Sequence, residues 1–213
     1  MISAETETVM EQIKATMGVR FMCGRYYIDE DVEREIYGIV QEIDTDRKSV
    51  WTGDIYPSQM APVIYGRGDR LLGGEMKWGL TGRDGKLLIN ARAETAMERP
   101  TFSGSVRQRR CVIPAKHFYE WNREKQKVTF CSRHKGILFM AGFYQMQEDG
   151  PHFIILTTAA NDSVRPVHER MPLILEREEM LLWIGEASKV SIFLNKSSPL
   201  LQRRQDYEQM SLF

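Results

Sequence analysis

Three residues have side chains and neighbours suited to covalent and proton-transfer chemistry: Cys23, Glu120 and His168. In Met22-Cys23-Gly24-Arg25-Tyr26-Tyr27 a thiol stands beside a flexible glycine and a cation, surroundings that expose a cysteine and favour its thiolate. The alternative for Cys23 is the common fate of cysteines outside disulfides, a small buried residue. Glu120 lies near the end of the run Arg-Cys-Val-Ile-Pro-Ala-Lys-His-Phe-Tyr-Glu-Trp (110–121), among the rings of His117, Phe118, Tyr119 and Trp121. Such an environment raises a carboxylate's pKa toward neutrality and suits it to general acid and base work; pairing with Lys116 or Arg123 is the structural alternative. His168, in Val167-His-Glu-Arg-Met-Pro172, has an arginine and a proline-restricted loop for company, which His117, His134 and His152 lack. Asn90-Ala-Arg-Ala-Glu94 follows an apolar strand, so an amide, a guanidinium and a carboxylate are presented together at a strand end.

Arg25, Arg92 and Arg170 lie singly inside these motifs and suit phosphate contacts, whereas Arg99, Arg107, Arg109 and Arg110 cluster as a solvated face does. Trp78, beside Gly79, is either a platform for an unpaired base or a core residue. Lysine plus arginine total 29 and aspartate plus glutamate total 29, so no global field draws the chain to a polyanion and any such site is a local patch. The three cysteines have neither disulfide-framework nor zinc-ligand spacing, so no cofactor or metal is expected, and a reducing, cytoplasmic setting fits. The apolar runs are strand-sized rather than membrane-sized, and the acidic start of the chain lacks the features of a signal peptide.

The elements that must carry these residues read as one domain, which 213 residues can support with a proper core. Residues 3–16 suggest a short, weakly amphipathic helix, and 29–42 a firmer one, with Val32, Ile36, Ile39 and Val40 at helical spacing behind acidic residues. Short β-rich runs follow at 61–65, 71–78, 86–90, 110–113, 127–131, 137–144 and 152–158, punctuated by Gly, Pro and Asp. A loop over 164–169, a helix over 177–184 and a polar tail complete the chain. The expected class is α+β, with flanking helices around a curved, mostly antiparallel sheet.

Eight segments in order carry a family resemblance: Met22-Cys-Gly-Arg-Tyr26, Pro57-Ser-Gln59, Lys77-Trp-Gly-Leu80, Asn90-Ala-Arg-Ala-Glu94, Cys111-Val-Ile-Pro114, Phe118-Tyr-Glu-Trp121, Leu156-Thr-Thr-Ala159 and His168-Glu-Arg-Met-Pro172. Over about residues 22–190 the chain resembles the SRAP family, the SOS-response-associated peptidases also described as abasic-site processing proteins. The resemblance implies a barrel-like sheet with a positively charged channel for single-stranded DNA, and covalent bonding to abasic sites. By that likeness Cys23 is the crosslinking residue, Asn90 orients it, and Glu120 and His168 move protons. Arg25, Arg92 and Arg170 hold phosphates, and Trp78 sits at the DNA groove. The corresponding division is an extension over 1–21, a catalytic domain over 22–195 and a tail over 196–213. The expected partner is single-stranded DNA containing abasic sites, with no membrane, and the expected state is a monomer.

An N-terminal cysteine offers an open-chain sugar aldehyde an amine and a thiol two carbons apart. The amine forms an imine with loss of water, and the thiolate closes a thiazolidine on the imine carbon. An α-amine with a pKa of about 7.7 to 8.0 is partly neutral at physiological pH. With residues 1–22 attached, the nitrogen of Cys23 is an unreactive amide, so the extension is the main departure from the family pattern. Translation from Met22 with loss of that methionine, self-cleavage before Cys23, and a retained leader that limits the protein to a reversible thiohemiacetal are the three explanations; the first is favoured. A cysteine peptidase or amide hydrolase using the same residues, and a noncovalent module for damaged DNA, are the rival functions.

Overall fold

A computed structural model describes residues 24–44, 51–82, 84–134 and 136–205. The strands in chain order are β1 (Tyr26–Ile28), β2 (Glu42–Asp44), β3 (Gly53–Ile55), β4 (Met60–Arg67), β5 (Arg70–Trp78), β6 (Leu80–Thr81), β7 (Leu87–Leu88), β8 (Asn90–Arg92), β9 (Arg110–Ala115), β10 (His117–Trp121), β11 (Lys127–Ser132), β12 (Leu138–Gln147), β13 (Gly150–Ala159), β14 (Arg170–Pro172), β15 (Ile174–Leu175) and β16 (Leu201–Gln205). Helices occupy Glu30–Ile39, Ala93–Ala96, Pro100–Gln108, Arg177–Gly185 and Val190–Leu194.

Strands β4, β5, β13, β12 and β9 close on themselves. Each is antiparallel to the next except β5 and β13, which meet in parallel through His152↔Lys77 and Phe153↔Trp78. Closure leaves these strands without an open edge. The barrel interior is tight at Gly142, where a Cβ would come within 2.4 Å of Ile113 Cδ1 and 2.5 Å of Ile154 O. Every residue of β9 is buried, because helix Arg177–Gly185 covers its outer face and the Trp183 indole donates to Cys111 O at 3.0 Å. A strand covered on both faces reads as an unbroken apolar run, as the segment 110–115 does.

The chain leaves the barrel at Lys116 and continues as β10 in a second sheet, ordered β16-β11-β10-β1-β3. That bend is held by Lys116 Nζ, 3.3 Å from the Asp29 carboxylate, and Asp29 Oδ1 also caps helix Glu30–Ile39 by accepting from Val32 N at 3.1 Å. The helix buries Val32 and Ile36, each worth about 1.5 to 3 kcal/mol of transfer free energy.

The expected α+β class and mostly antiparallel barrel are what the structure contains. Two readings change, and the helix expected over 3–16 lies outside the described residues. Part of the predicted tail is strand: β16 pairs with β11 from Val128↔Gln205 to Ser132↔Leu201, and Leu201 and Ser198 are buried. An edge strand with solvated side chains needs backbone partners rather than apolar periodicity, so composition conceals it. The stretch before β9 is helix Pro100–Gln108, opened by a proline in its first turn. Arg110 is no part of a solvated face: it is buried, and its guanidinium donates to the carbonyls of Val106 (3.2 Å), Ile184 (2.8 Å) and Trp183. Among the described residues no helix is long and apolar enough to cross a membrane.

Candidate active site

Two of the sequence motifs meet because both pair with the same stretch of β13. Strand β8 runs parallel to it (Ile155↔Asn90, Leu156↔Ala91, Thr157↔Arg92), and β14 runs antiparallel (Thr157↔Pro172, Thr158↔Met171, Ala159↔Arg170). Across Thr157 the Arg170 fork grips Glu94, with Nη1 2.6 Å from Oε1 and Nη2 2.8 Å from Oε2, while Nη2 also donates to Thr157 O at 2.7 Å. The Arg170 hydrogen bond holds the Glu94 carboxyl below the usual range. His168 is fixed by the backbone of Arg170, whose N and O lie 3.1 and 3.2 Å from Nδ1. Nδ1 is the ring nitrogen engaged by that backbone.

Trp78 links this rim to the strand that follows Cys23. Its indole donates to Ile89 O at 3.0 Å, immediately before Asn90, and its ring lies 5.2 Å from Tyr26 and 6.2 Å from Phe153. The ring is 0% exposed, which corrects its assignment to the DNA groove: no face is left on which a base could stack. Tyr26, in β1, is buried with a hydroxyl that has no hydrogen-bond partner among the described residues, and burial pushes its pKa up.

Cys23 lies outside the described residues; the neighbouring chain is defined from Gly24. Strand β1 pairs with β10 (Tyr26↔Phe118), and Tyr119 N donates to Arg25 O at 3.1 Å, extending the ladder one step toward Glu120. Alternation along β10 buries Phe118 and Glu120 on one side, with Glu120 only 2% exposed, and turns His117 and Tyr119 to the other.

On that other side Arg25 is boxed. Its guanidinium sits 4.9, 5.4 and 5.2 Å from the ring centres of Tyr56, Tyr119 and Trp121, and Nη1 is 3.2 Å from Asp54 Oδ2. The Tyr119 hydroxyl donates to Asp54 Oδ1 at 2.9 Å and so accepts from His117 Nε2 at 2.8 Å, and the His117 ring stacks on Tyr27. Burial lowers the His117 pKa, keeping the imidazole neutral, and raises that of Tyr119. Asp54 and His117 belong to this cluster around Arg25, and the sequence reading singled out neither. Asp54 stood alone before Tyr56 and Pro57, and the company His117 lacked locally comes from β1 and β3.

The arginines singled out for phosphate thus differ. Arg92 is exposed and makes no ion pair among the described residues. Arg25 and Arg170 are paired with carboxylates, and each keeps one buried Nε–H with no acceptor among the described residues.

Known proteins share both sequence and fold. The model of the SOS response associated peptidase (SRAP) family matches residues 22–211. Similar proteins include the abasic site processing protein YoqW of Bacillus subtilis, 32% identical over 187 residues, covering 77% of this chain and 80% of that one. YedK of Escherichia coli, also named an abasic site processing protein, is 26% identical over 178 residues, covering 78% of this chain and 80% of its own. A crystallised protein of Bacteroides thetaiotaomicron superposes with a TM-score of 0.73 at 20% identity, covering 87% of this chain and 93% of its own. A phage-related protein of Bordetella bronchiseptica does so with 0.71 at 19%, covering 86% and 94%. With a family match across nearly all of the chain beyond its first 21 residues, and relatives above 30% identity, this chain belongs to the SRAP family.

Proposed function

We propose that this protein processes abasic sites in single-stranded DNA by forming a thiazolidine between Cys23 and the open-chain deoxyribose aldehyde. The observation that carries the reading is where the family match begins: at Met22, so that residues 1–21 fall outside it and Cys23 follows directly. The relatives named abasic site processing proteins support the substrate.

His168 takes the proton of the sugar's anomeric hydroxyl and returns one to the ring oxygen as the carbon–oxygen bond opens. The free α-amine of Cys23 adds to the aldehyde, Glu120 protonates the departing hydroxyl, and water leaves as the imine forms. Glu120 then takes the thiol proton, and the sulfur closes on the imine carbon; the net reaction consumes amine, thiol and aldehyde and releases one water. Burial of Glu120 supports this work, because bulk water competes little for the transferred proton at a carboxyl that is almost wholly enclosed. Holding amine and thiol beside one bound aldehyde supplies the effective concentration that favours closure. Asn90 orients Cys23, and Arg92 contacts phosphate through its exposed guanidinium. Arg25 and Arg170 contribute through the geometry they hold and their remaining Nε–H groups.

The test incubates the form starting at Met22, the form carrying residues 1–22 and Cys23→Ala with abasic single-stranded DNA, then separates products under denaturing conditions. A shifted adduct is expected for the first alone; equal crosslinking by all three overturns the mechanism. One observation favours self-cleavage as a second activity, namely that the sequence carries 22 residues ahead of the proposed nucleophile in a family described as peptidases. Intact mass measurement after expression, compared with Cys23→Ala, tests it: a leader lost equally from both is not removed by Cys23.

A further inference from the structure

A neutral chain binds a polyanion only where positive charge is left uncompensated, and much of the positive charge near the active site is spoken for. Arg25 is paired with Asp54, Arg170 with Glu94, Arg165 with Asp162 and Arg177 with Glu35. Arg133 and Arg203, like Arg92, make no ion pair among the described residues, and what sets them apart is that both line one cavity of about 570 Å3 with Asp162, Ser163, Leu201 and Gln202. The Asp162 carboxylate is the single negative group in that lining, and Arg165 neutralises it at 3.0 Å. The cavity therefore keeps two arginines in excess, within the size range of ligand sites.

The cavity is also tied to the active site. The turn that forms one wall leads directly into His168, whose N–H donates to Val164 O at 3.0 Å. The opposite wall is β16, and the two are joined by Leu201 N donating to Ser163 Oγ at 3.0 Å and by Asn161 Nδ2 donating to Ser198 O and Pro199 O at 3.0 and 2.8 Å. Arg133 is braced across the gap by its Nε, 3.4 Å from Leu201 O, which leaves its terminal nitrogens for a ligand. An anion held here lies beside the turn that leads into His168.

We infer that this cavity holds a backbone phosphodiester of the DNA strand that flanks the abasic nucleotide, gripped by Arg133 and Arg203. The inference rests on the single-stranded DNA reading above and adds a subsite to it. It also gives the strand β16 a purpose beyond closing the sheet edge, since it delivers one of the two cations.

The experiment uses the chain starting at Met22 and compares Arg133→Gln/Arg203→Gln, Arg133→Lys/Arg203→Lys and the control Arg34→Gln, an exposed arginine outside the cavity that pairs with Asp31. Affinity for an undamaged single-stranded oligonucleotide is followed by fluorescence anisotropy over a salt series. The glutamine pair is expected to lower affinity about tenfold and reduce the slope of log affinity against log salt by about 0.7 to 1.4, because one or two phosphate contacts are lost. The lysine pair keeps the slope, and the control matches the parent. An unchanged slope in a glutamine pair that melts like the parent overturns the inference. Calorimetric binding of inorganic phosphate that the glutamine pair loses, with the DNA slope unchanged, overturns it in favour of a free-anion site. If the parent itself binds no single-stranded DNA, the functional reading fails, and the subsite with it.

Discussion

Arg170 and Arg25 are both arginines of site motifs facing a carboxylate, yet they are held by different physics. Arg170 makes two parallel hydrogen bonds to Glu94 and a third to Thr157 O, a directional grip that only a planar fork can make. Arg25 has one longer bond to Asp54 and three aromatic faces around it, a grip that depends on charge over rings. The first clamp locks two rim strands to each other across β13; the second fixes the start of β1, two residues after Cys23. The same residue type thus braces the chain around His168 and the chain that follows Cys23 by separate means.

The largest expected effect comes from breaking what the two regions share. Trp78→Ala removes the ring between Tyr26 and the carbonyl that precedes Asn90, and is expected to cost about 3 to 5 kcal/mol, seen as a large drop in thermal midpoint. A midpoint within a degree or two of the parent would show that the ring is not the shared support. Next in size is the contrast between clamps. Arg170→Lys keeps the charge but loses the fork and is expected to slow crosslinking about tenfold, a barrier change of about 1.4 kcal/mol, whereas Arg25→Lys keeps a cation over the rings and loses less. Single-turnover rates at saturating DNA decide it, and equal losses would erase the distinction.

A smaller effect is the pH dependence of the Arg170 clamp. The folded pKa of Glu94 lies below its unfolded value, so its contribution is fully present above the ordinary glutamate range and fades as pH falls through that range to the depressed value. Because Glu94 is 41% exposed, the contribution is about 1 kcal/mol or less. Denaturant titrations from neutral to acid pH are expected to show that much of the acid-side loss missing in Glu94→Gln. Smallest is Tyr26→Phe, which removes a buried hydroxyl with no partner among the described residues and is expected to be neutral or to stabilise by about 1 kcal/mol. Marked destabilisation would mean that the hydroxyl has a partner in the working protein.

Much of this molecule was legible in its sequence. Local periodicity marked helix Glu30–Ile39, the barrel strands and the unbroken apolar run of β9, because burial on one face or two imposes a period that neighbours along the chain must obey. The motifs around Asn90, Glu120 and His168 were likewise legible as motifs, since each is local, and their order along the chain carried the family resemblance. What depended on partners distant in the chain was not legible. Trp78 beside a glycine suits either a groove or a core, and the packing of Tyr26 and Phe153 against it decided for the core. His117 looked solitary until β1 and β3 brought Tyr27 and Asp54 beside β10, and Arg110 looked solvated until helix Arg177–Gly185 closed over it. The polar strand β16 carried no periodic signal because its order comes from backbone pairing with β11. Residue type and spacing determined which groups were available for chemistry; long-range strand pairing decided which of them face one another and which charges are already spent, because a hydrogen bond or ion pair depends on distance in space and not on distance along the chain.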